Sequence, residues 1–508
     1  MTTPPYPETG LVFPSDAQGQ RSSTAAGARI VAAALRALNL GRLAQAAEAE
    51  RHWRRRYPDY FRALVEGGLA RPDLALASAS AGLQAAWQTL RWQSRAGAEQ
   101  GLVQALERPE GESLSTLTLR GAGAPSPQPW HVPYQGRHLQ GDALLEQLLR
   151  WVEAGVIEPS AARALGRCVR HPEWFDLSDR HLALLGAASE AGPLRWLARW
   201  RANLYAVDVD RADVWSRISD LVLVGNATLH LPLRASGHTV DWMAAAGVDL
   251  LREAPRVAQW LRGFGRPMDL AALGYLDGER HVRLSLAMDM VASQLLSAQP
   301  ASSLAYLATP TDVYAVPEEA ALAAQAAYGQ RPLLSRGLQS PLRLAAGERF
   351  FHANVGQLLA GPQGRRYGVA DSLILEQGPN YALAKRLQQW RALWARSHGH
   401  RVSLNVAPST TTGSVVKNPA LAAGFAGASA FGIEVFQPET TNALMAALWV
   451  HDLRTDRAPS DPQIALAHPY ELIMDQACHG GLWRSAYRPR SALPFAAALG
   501  WVRERVGR

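Results

Sequence analysis

The sequence predicts an α/β protein: a doubly wound, mainly parallel sheet, preceded by a large N-terminal helical region and followed by C-terminal helical additions. Three observations carry this. From Asp179 onward, short apolar runs alternate with helical patterns, the rhythm of strands joined by crossover helices. Those runs are continuously apolar, as in Leu182-Ala-Leu-Leu185, which suits strands covered on both faces. The chain has 508 residues, 48% hydrophobic and 19% charged, so it can bury such a sheet without disulfide or metal staples.

The elements are these, in chain order. Residues 1–25 are rich in Pro, Gly, Ser and Thr and read as a flexible N-terminus. Residues 26–107 read as helical: Ile30, Ala33, Ala34, Leu38 and Leu40 lie near the spacing of one helix face, as do Leu83, Ala86, Trp87 and Leu90. The Pro/Gly-rich stretch 108–141 reads as a linker or surface loop. Helix returns over 142–178, with Leu144, Leu145, Leu148, Leu149 and Val152 as its apolar stripe.

The sheet domain spans 179–435. Its strands are expected at His181–Leu185, Asn203–Val207, Pro267–Tyr275, Ser303–Ala308 and Arg401–Val406. Helices are expected at Gly192–Trp200, Ala254–Arg262, Arg280–Ser297 and Tyr381–Arg396. Leu221–Leu233 holds a further strand or hairpin, and 436–508 reads as a C-terminal helical extension.

Charge and cysteine content narrow the function classes. The net charge is +8, and only Lys385 and Lys417 among the 52 basic residues are lysine. The densest basic run, Arg51–Arg56, sits beside Glu48 and Glu50 and reads as a solvated face, so nucleic acid is not an expected partner. No apolar run is long enough for a membrane span, and the start lacks the pattern of a secretory leader. Cys168 and Cys478 stand far apart and build no disulfide framework, which fits a reducing, cytoplasmic setting. The histidines have no carboxylate neighbours at ligand spacing, so no metal is expected.

The most informative stretch runs from Leu182 to Asp208 as strand, glycine turn, helix, strand, acid. Gly186 lets the chain turn sharply out of its strand, and Gly192 allows the next helix to approach the sheet. Free N–H groups around Ser189 and the helix start can cradle a pyrophosphate. Asp208 ends the second strand, where a carboxylate accepts hydrogen bonds from ribose hydroxyls. A methyltransferase uses a similar turn and acid, and Glu190 stands where a third glycine is usual.

A second stretch, Gly378-Pro-Asn-Tyr381-Ala-Leu-Ala-Lys385, reads as a helix with Tyr381 and Lys385 one turn apart on one face. A nearby ammonium is expected to lower the tyrosine pKa and make it a proton donor and acceptor. With two lysines in the chain, the pairing carries weight. The following strand leaves the sheet into Pro408-Ser-Thr-Thr-Thr-Gly413, at the end where ligands of such sheets bind.

The order of these elements, with Asn405-x-x-Pro408 closing the last strand, resembles the short-chain dehydrogenase/reductase superfamily over 179–435, about half the chain. The resemblance implies a Rossmann-like domain binding NAD, or NADP as the alternative, and transferring hydride to or from a carbonyl or alcohol of a small molecule. It implies Tyr381 as acid/base, with Lys385 supporting it and binding the nicotinamide ribose. Pro408 and Thr410 would lie near the nicotinamide. A hydroxyl after the fifth strand would come from Thr309, with Ser372 as rival. Gly186, Ser189, Gly192 and Asp208 would complete the cofactor site. The family's spacing implies an insertion at about 312–375 and a dimer or tetramer. The departures at Glu190 and Ser409 leave two alternatives: a scaffold that binds nucleotide without catalysis, and an arginine-rich partner-binding protein.

Overall fold

A computed structural model describes residues 9–234, 241–331 and 350–506. Its centre is a seven-stranded sheet built from β1 (Ser115–Arg120), β2 (His181–Leu185), β3 (Asn203–Val207), β4 (Thr228–Leu233), β5 (Asp269–Ala272), β6 (Ser303–Ala308) and β7 (Val402–Val406). The spatial order is β7-β6-β5-β2-β3-β4-β1. Six strands are parallel; β1 runs antiparallel to β4, from Ser115 opposite Leu233 to Arg120 opposite Thr228.

The chain enters the parallel sheet at its middle. It steps outward through β3 and β4, then returns to the other side of β2 for β5, β6 and β7. The direction therefore reverses between β2 and β5, and in open α/β sheets the carboxyl ends of the strands at such a reversal are where ligands bind.

Helices cover both faces, as the continuous apolar strands require. Ala183 and Leu185 face a core shared with α2 (Leu250–Arg262), α3 (Glu279–Ala298), α4 (Gly378–Ser397) and the N-terminal helices. Leu182 and Leu184 face the opposite core, with α1 (Ala212–Val224), α5 (Pro438–Arg454) and the helices at 141–153 and 159–170.

The N-terminal helices belong to the first of these cores. Gly82 lets one of them approach α4 so closely that a Cβ there would fall 2.3 Å from the Trp390 ring. Trp87 also reaches into the core, donating from Nε1 to Asp289 at 2.7 Å.

Several expectations change. Residues 10–12, expected in a flexible terminus, form a strand paired with Arg91–Gln93, because Leu11, Val12 and Phe13 find apolar cover. The stretch 108–141 is no linker: its Leu117 and Leu119 pack against the second core and make β1 the edge of the main sheet. The unplaced stretch around Leu221–Leu233 is the end of α1 followed by β4.

The inserted region starts with Val313–Pro317 and a helix at Glu318–Gly329, then returns as Arg366–Asp371 antiparallel to that strand. Part of the 312–375 insertion, 332–349, lies outside the described residues. The C-terminal region is integral rather than appended, since Ser460 and Cys478 hydrogen-bond the two ends of β7. Among the described residues no helix is long and apolar enough to cross a membrane.

Candidate functional site

The carboxyl ends of the parallel strands gather most of the residues singled out by sequence. Gly186 leaves β2 with φ +85°, and a Cβ there would fall 2.5 Å from the backbone of Gly274, just beyond β5. The two glycines thus let adjacent strand ends touch at the point of reversal. Asp208, at the end of β3, ties this turn down. Its Oδ2 accepts from the Ala188 N–H at 2.8 Å and its Oδ1 from the Val209 N–H at 2.9 Å. Burial raises the Asp208 carboxyl above its ordinary value, with those two backbone donors opposing.

Beyond the turn the chain departs from expectation. The helix foreseen over Gly192–Trp200 shrinks to one turn, Leu194–Leu197. Trp196, Leu197 and Trp200 are drawn into the second core while the chain winds through turns. A single turn carries little aligned dipole, and the free amides expected around Ser189 are not there: the N–H groups of Gly186, Ala187, Ala188, Ser189 and Gly192 already donate within the chain. Gly192 is buried; a Cβ there would sit 3.0 Å from the Ser189 carbonyl oxygen. Ser189 itself bends the turn through Gly192 N–H donation to its carbonyl at 2.9 Å. Exposed Glu190 accepts from the Gly413 N–H at 2.8 Å and ties the glycine turn to the loop after β7. That loop holds Pro408 and Thr410, and Thr410 donates to the Pro408 carbonyl at 2.9 Å.

The second half of the site lies where β6 meets α4. Thr309 follows β6 directly, and its hydroxyl lies close enough to Tyr381 of α4 to favour the ionised phenol. It also lies 2.9 Å from the Thr311 hydroxyl, which donates to Gln377 Oε1 at 2.7 Å. The Gln377 carbonyl can only accept, so the neutral chain has one polarity. Thr309 donates to Thr311, and Thr311 to Gln377. Lys385 lies one turn along α4 and donates to the Leu307 carbonyl of β6 and to Gln388 Oε1, each at 3.3 Å.

The electrostatics reverse one expectation. Burial pushes the Tyr381 hydroxyl up to about 12; the Thr309 hydroxyl opposes this, and the charge of Asp312 adds to it. Burial pulls Lys385 down to about 8 against the attraction of Asp312. The dense surroundings outweigh the ammonium that was to lower the tyrosine. Asp312 is fully buried, held by Arg386 at 2.9 Å and by Gln389 at 2.8 Å.

The rival Ser372 is also fully buried, its Oγ without a hydrogen-bond partner among the described residues. Its backbone N–H donates to the Asp312 carbonyl at 3.0 Å.

Sequence reasoning missed His281, on the first turn of α3. It is 1% exposed and neither ring nitrogen has a partner among the described residues. Burial, and then the charge of Lys385, hold it well below its ordinary pKa. Its only sequence signal is a lone histidine inside a helical pattern.

The site thus has two parts, a turn-and-acid part at β2 and β3 and a hydroxyl–amine part at β6 and α4, on the same end of one sheet. In comparison with known proteins, no family model and no curated sequence matches the chain.

Proposed function

We propose that the protein is an NAD(P)-dependent oxidoreductase of the short-chain dehydrogenase type, acting on a carbonyl or alcohol. The observation that carries this reading is the line of Tyr381, Thr309, Thr311 and Gln377 beside Lys385, at the carboxyl end of a sheet whose direction reverses between β2 and β5. The strand order supports a Rossmann-like assignment for the parallel part.

At the end of β3, Asp208 fits the ribose of a dinucleotide. Each Asp208 oxygen receives one backbone donor and keeps a lone pair for a ribose hydroxyl. An acid there favours NAD over NADP, whose extra phosphate would meet its charge. Arg211, a candidate to receive that phosphate, is engaged by Asp213 at 2.7 Å. When bound, the cofactor supplies or accepts the hydride.

The chain's own residues handle the proton. Tyr381 is a neutral phenol at neutral pH and donates to the substrate oxygen as a carbonyl becomes an alcohol. The Thr309 hydroxyl lies close to that of the tyrosine. Lys385, with a pKa of about 8, is mostly protonated near neutrality and hydrogen-bonds a ribose hydroxyl. In alcohol oxidation Tyr381 first loses its proton to solvent, with the Thr309 hydroxyl turned toward the phenolate, and then takes the proton of the alcohol.

A second reading, nucleotide binding without turnover, is favoured by Glu190, whose carboxylate borders the turn that would face a pyrophosphate. Titration of the full chain with NADH and NADPH, read by tryptophan-to-nicotinamide energy transfer, separates the readings. Saturable binding weakened by Asp208→Ala, with turnover on a ketone panel abolished by Tyr381→Phe, supports the oxidoreductase. Binding without turnover on the panel supports the second reading, and absence of binding overturns both.

A further inference from the structure

Beyond the Thr309–Thr311 pair the structure holds an apolar cavity of about 70 Å³. Thr311 and Ser409 stand at its polar side, while Phe425, Phe431, Leu482 and Leu493 supply much of its wall. Among the described residues no charged side chain lines it. Its roof is the pair of helices Pro419–Gly427 and Pro489–Val506. Those helices meet through glycine: a Cβ at Gly427 would fall 1.9 Å from the Ala496 carbonyl oxygen, and one at Gly500 would fall 2.1 Å from that of Ala423. Backbone-to-backbone contact fixes the roof height and so the bulk admitted beneath it.

The nearby guanidinium groups are already engaged. Arg490 is paired with the fully buried Asp371, its Nη2 at 2.6 Å from Oδ2, and Arg488 lies 3.9 Å from the same carboxylate. Neither is left to neutralise an anion in the cavity. The pocket is partly open to solvent, but an ionised ligand group seated against its apolar wall would lose part of its hydration with no charged partner to replace it, so the pocket disfavours charge. An engineered apolar cavity of about 150 Å³ takes benzene, and a single water needs roughly 10–15 Å³. The space here suits a few methylene-sized groups and falls short of an aromatic ring.

We infer that this cavity is the specificity pocket of the proposed oxidoreductase, and that its ligand is an uncharged short-chain aliphatic ketone or secondary alcohol, with the alkyl group under the roof and the oxygen on the polar side, toward Thr311, whose hydroxyl is hydrogen-bonded to that of Thr309. This rests on the oxidoreductase reading, but its recognition step is measurable without turnover.

The probes are 2-hexanone, acetophenone and hexanoate, titrated on the full chain by ligand-observed NMR. The expected result is saturable binding of 2-hexanone, with acetophenone and hexanoate at least tenfold weaker. Ala492→Leu, which fills the cavity, should weaken 2-hexanone at least tenfold while leaving NADH affinity unchanged. Leu493→Ala, which enlarges it, should bring acetophenone to within about threefold of 2-hexanone. Hexanoate binding as well as the ketone, or 2-hexanone binding unaltered in both variants at unchanged thermal unfolding, would overturn the pocket assignment. Loss of fold in one variant leaves the other as the deciding measurement. Ketone binding that follows these variants in a chain that binds no NADH would retain the pocket and overturn the oxidoreductase.

Discussion

The imidazole of His281 lies against the ring of Tyr381, centroids 5.5 Å apart and planes 27° from parallel. Tyr275 meets the same imidazole edge-on at 4.9 Å. The histidine therefore acts as an aromatic plate that keeps water from one face of the phenol. Two buried ring nitrogens without partners among the described residues are a cost to folding. His281→Phe keeps the plate and removes that cost, so its urea unfolding midpoint should equal or exceed that of the parent. A loss above about 2 kcal/mol would mean that a nitrogen holds an interaction the fold needs.

Tyr381→Phe removes the proton donor and leaves the ring stack. Turnover should fall by about 10²–10⁴-fold, the usual span for general acid–base catalysis, with NADH affinity within twofold of the parent. Steady-state kinetics beside the cofactor titration measure both. Unchanged turnover would remove Tyr381 from the chemistry.

Lys385 sets a pH dependence. Its pKa is about 8 in the folded protein against an ordinary 10.5, so between these values the unfolded chain binds more protons. The penalty for burying the amine is full below pH 8, shrinks as pH rises, and is gone above about 10.5. The gap corresponds to roughly 3 kcal/mol. Lys385→Met should therefore be more stable than the parent at pH 7 by up to that amount, and the advantage should vanish by pH 10.5. Urea unfolding of both proteins across this range tests it; a constant difference would mean that the amine titrates normally.

Gly186→Ala combines a left-handed backbone with a Cβ 2.5 Å from the Gly274 backbone. Backbone cannot move aside as a side chain can, so the loss should exceed about 2 kcal/mol. Chemical denaturation would show it. Gly274→Ala meets only the side chains of Leu284 and Met288, at 3.0 and 3.3 Å, and should be milder.

Glu190→Gln keeps the hydrogen bond to Gly413 but removes an exposed negative charge beside the turn. NADH affinity should rise by up to about fivefold at low salt and by less at high salt, as for a screened surface charge. A fall in affinity would mean that the carboxylate itself receives the cofactor.

The strands were legible because they are short, continuously apolar and bounded by turn residues. His181–Leu185, Asn203–Val207 and Ser303–Ala308 stand where the sequence puts them. Tyr381, Lys385 and Thr309 meet because a helix fixes the first two and a strand end presents the third. The helix after the glycine turn was misread because Trp196, Leu197 and Trp200 carry helical spacing, yet tertiary burial holds the chain in turns. β1 was hidden in a Pro/Gly-rich stretch because its Thr-Leu alternation covers only six residues and its partner β4 is far away in sequence. The direction of the tyrosine shift depends on how much protein surrounds it, which spacing along a helix does not encode.

The position of β1 also sets a clock on synthesis. Ser115 pairs with Leu233, 118 residues later. At about 5–20 residues per second, a ribosome takes roughly 6–24 s to deliver the partner. During that interval Leu117 and Leu119 have no sheet to join, and a nascent chain carries an unpaired strand through the stage at which aggregation competes with folding. Slowed translation between residues 120 and 233 should therefore lower the soluble yield more than an equal delay after residue 406, when all seven strands have been made.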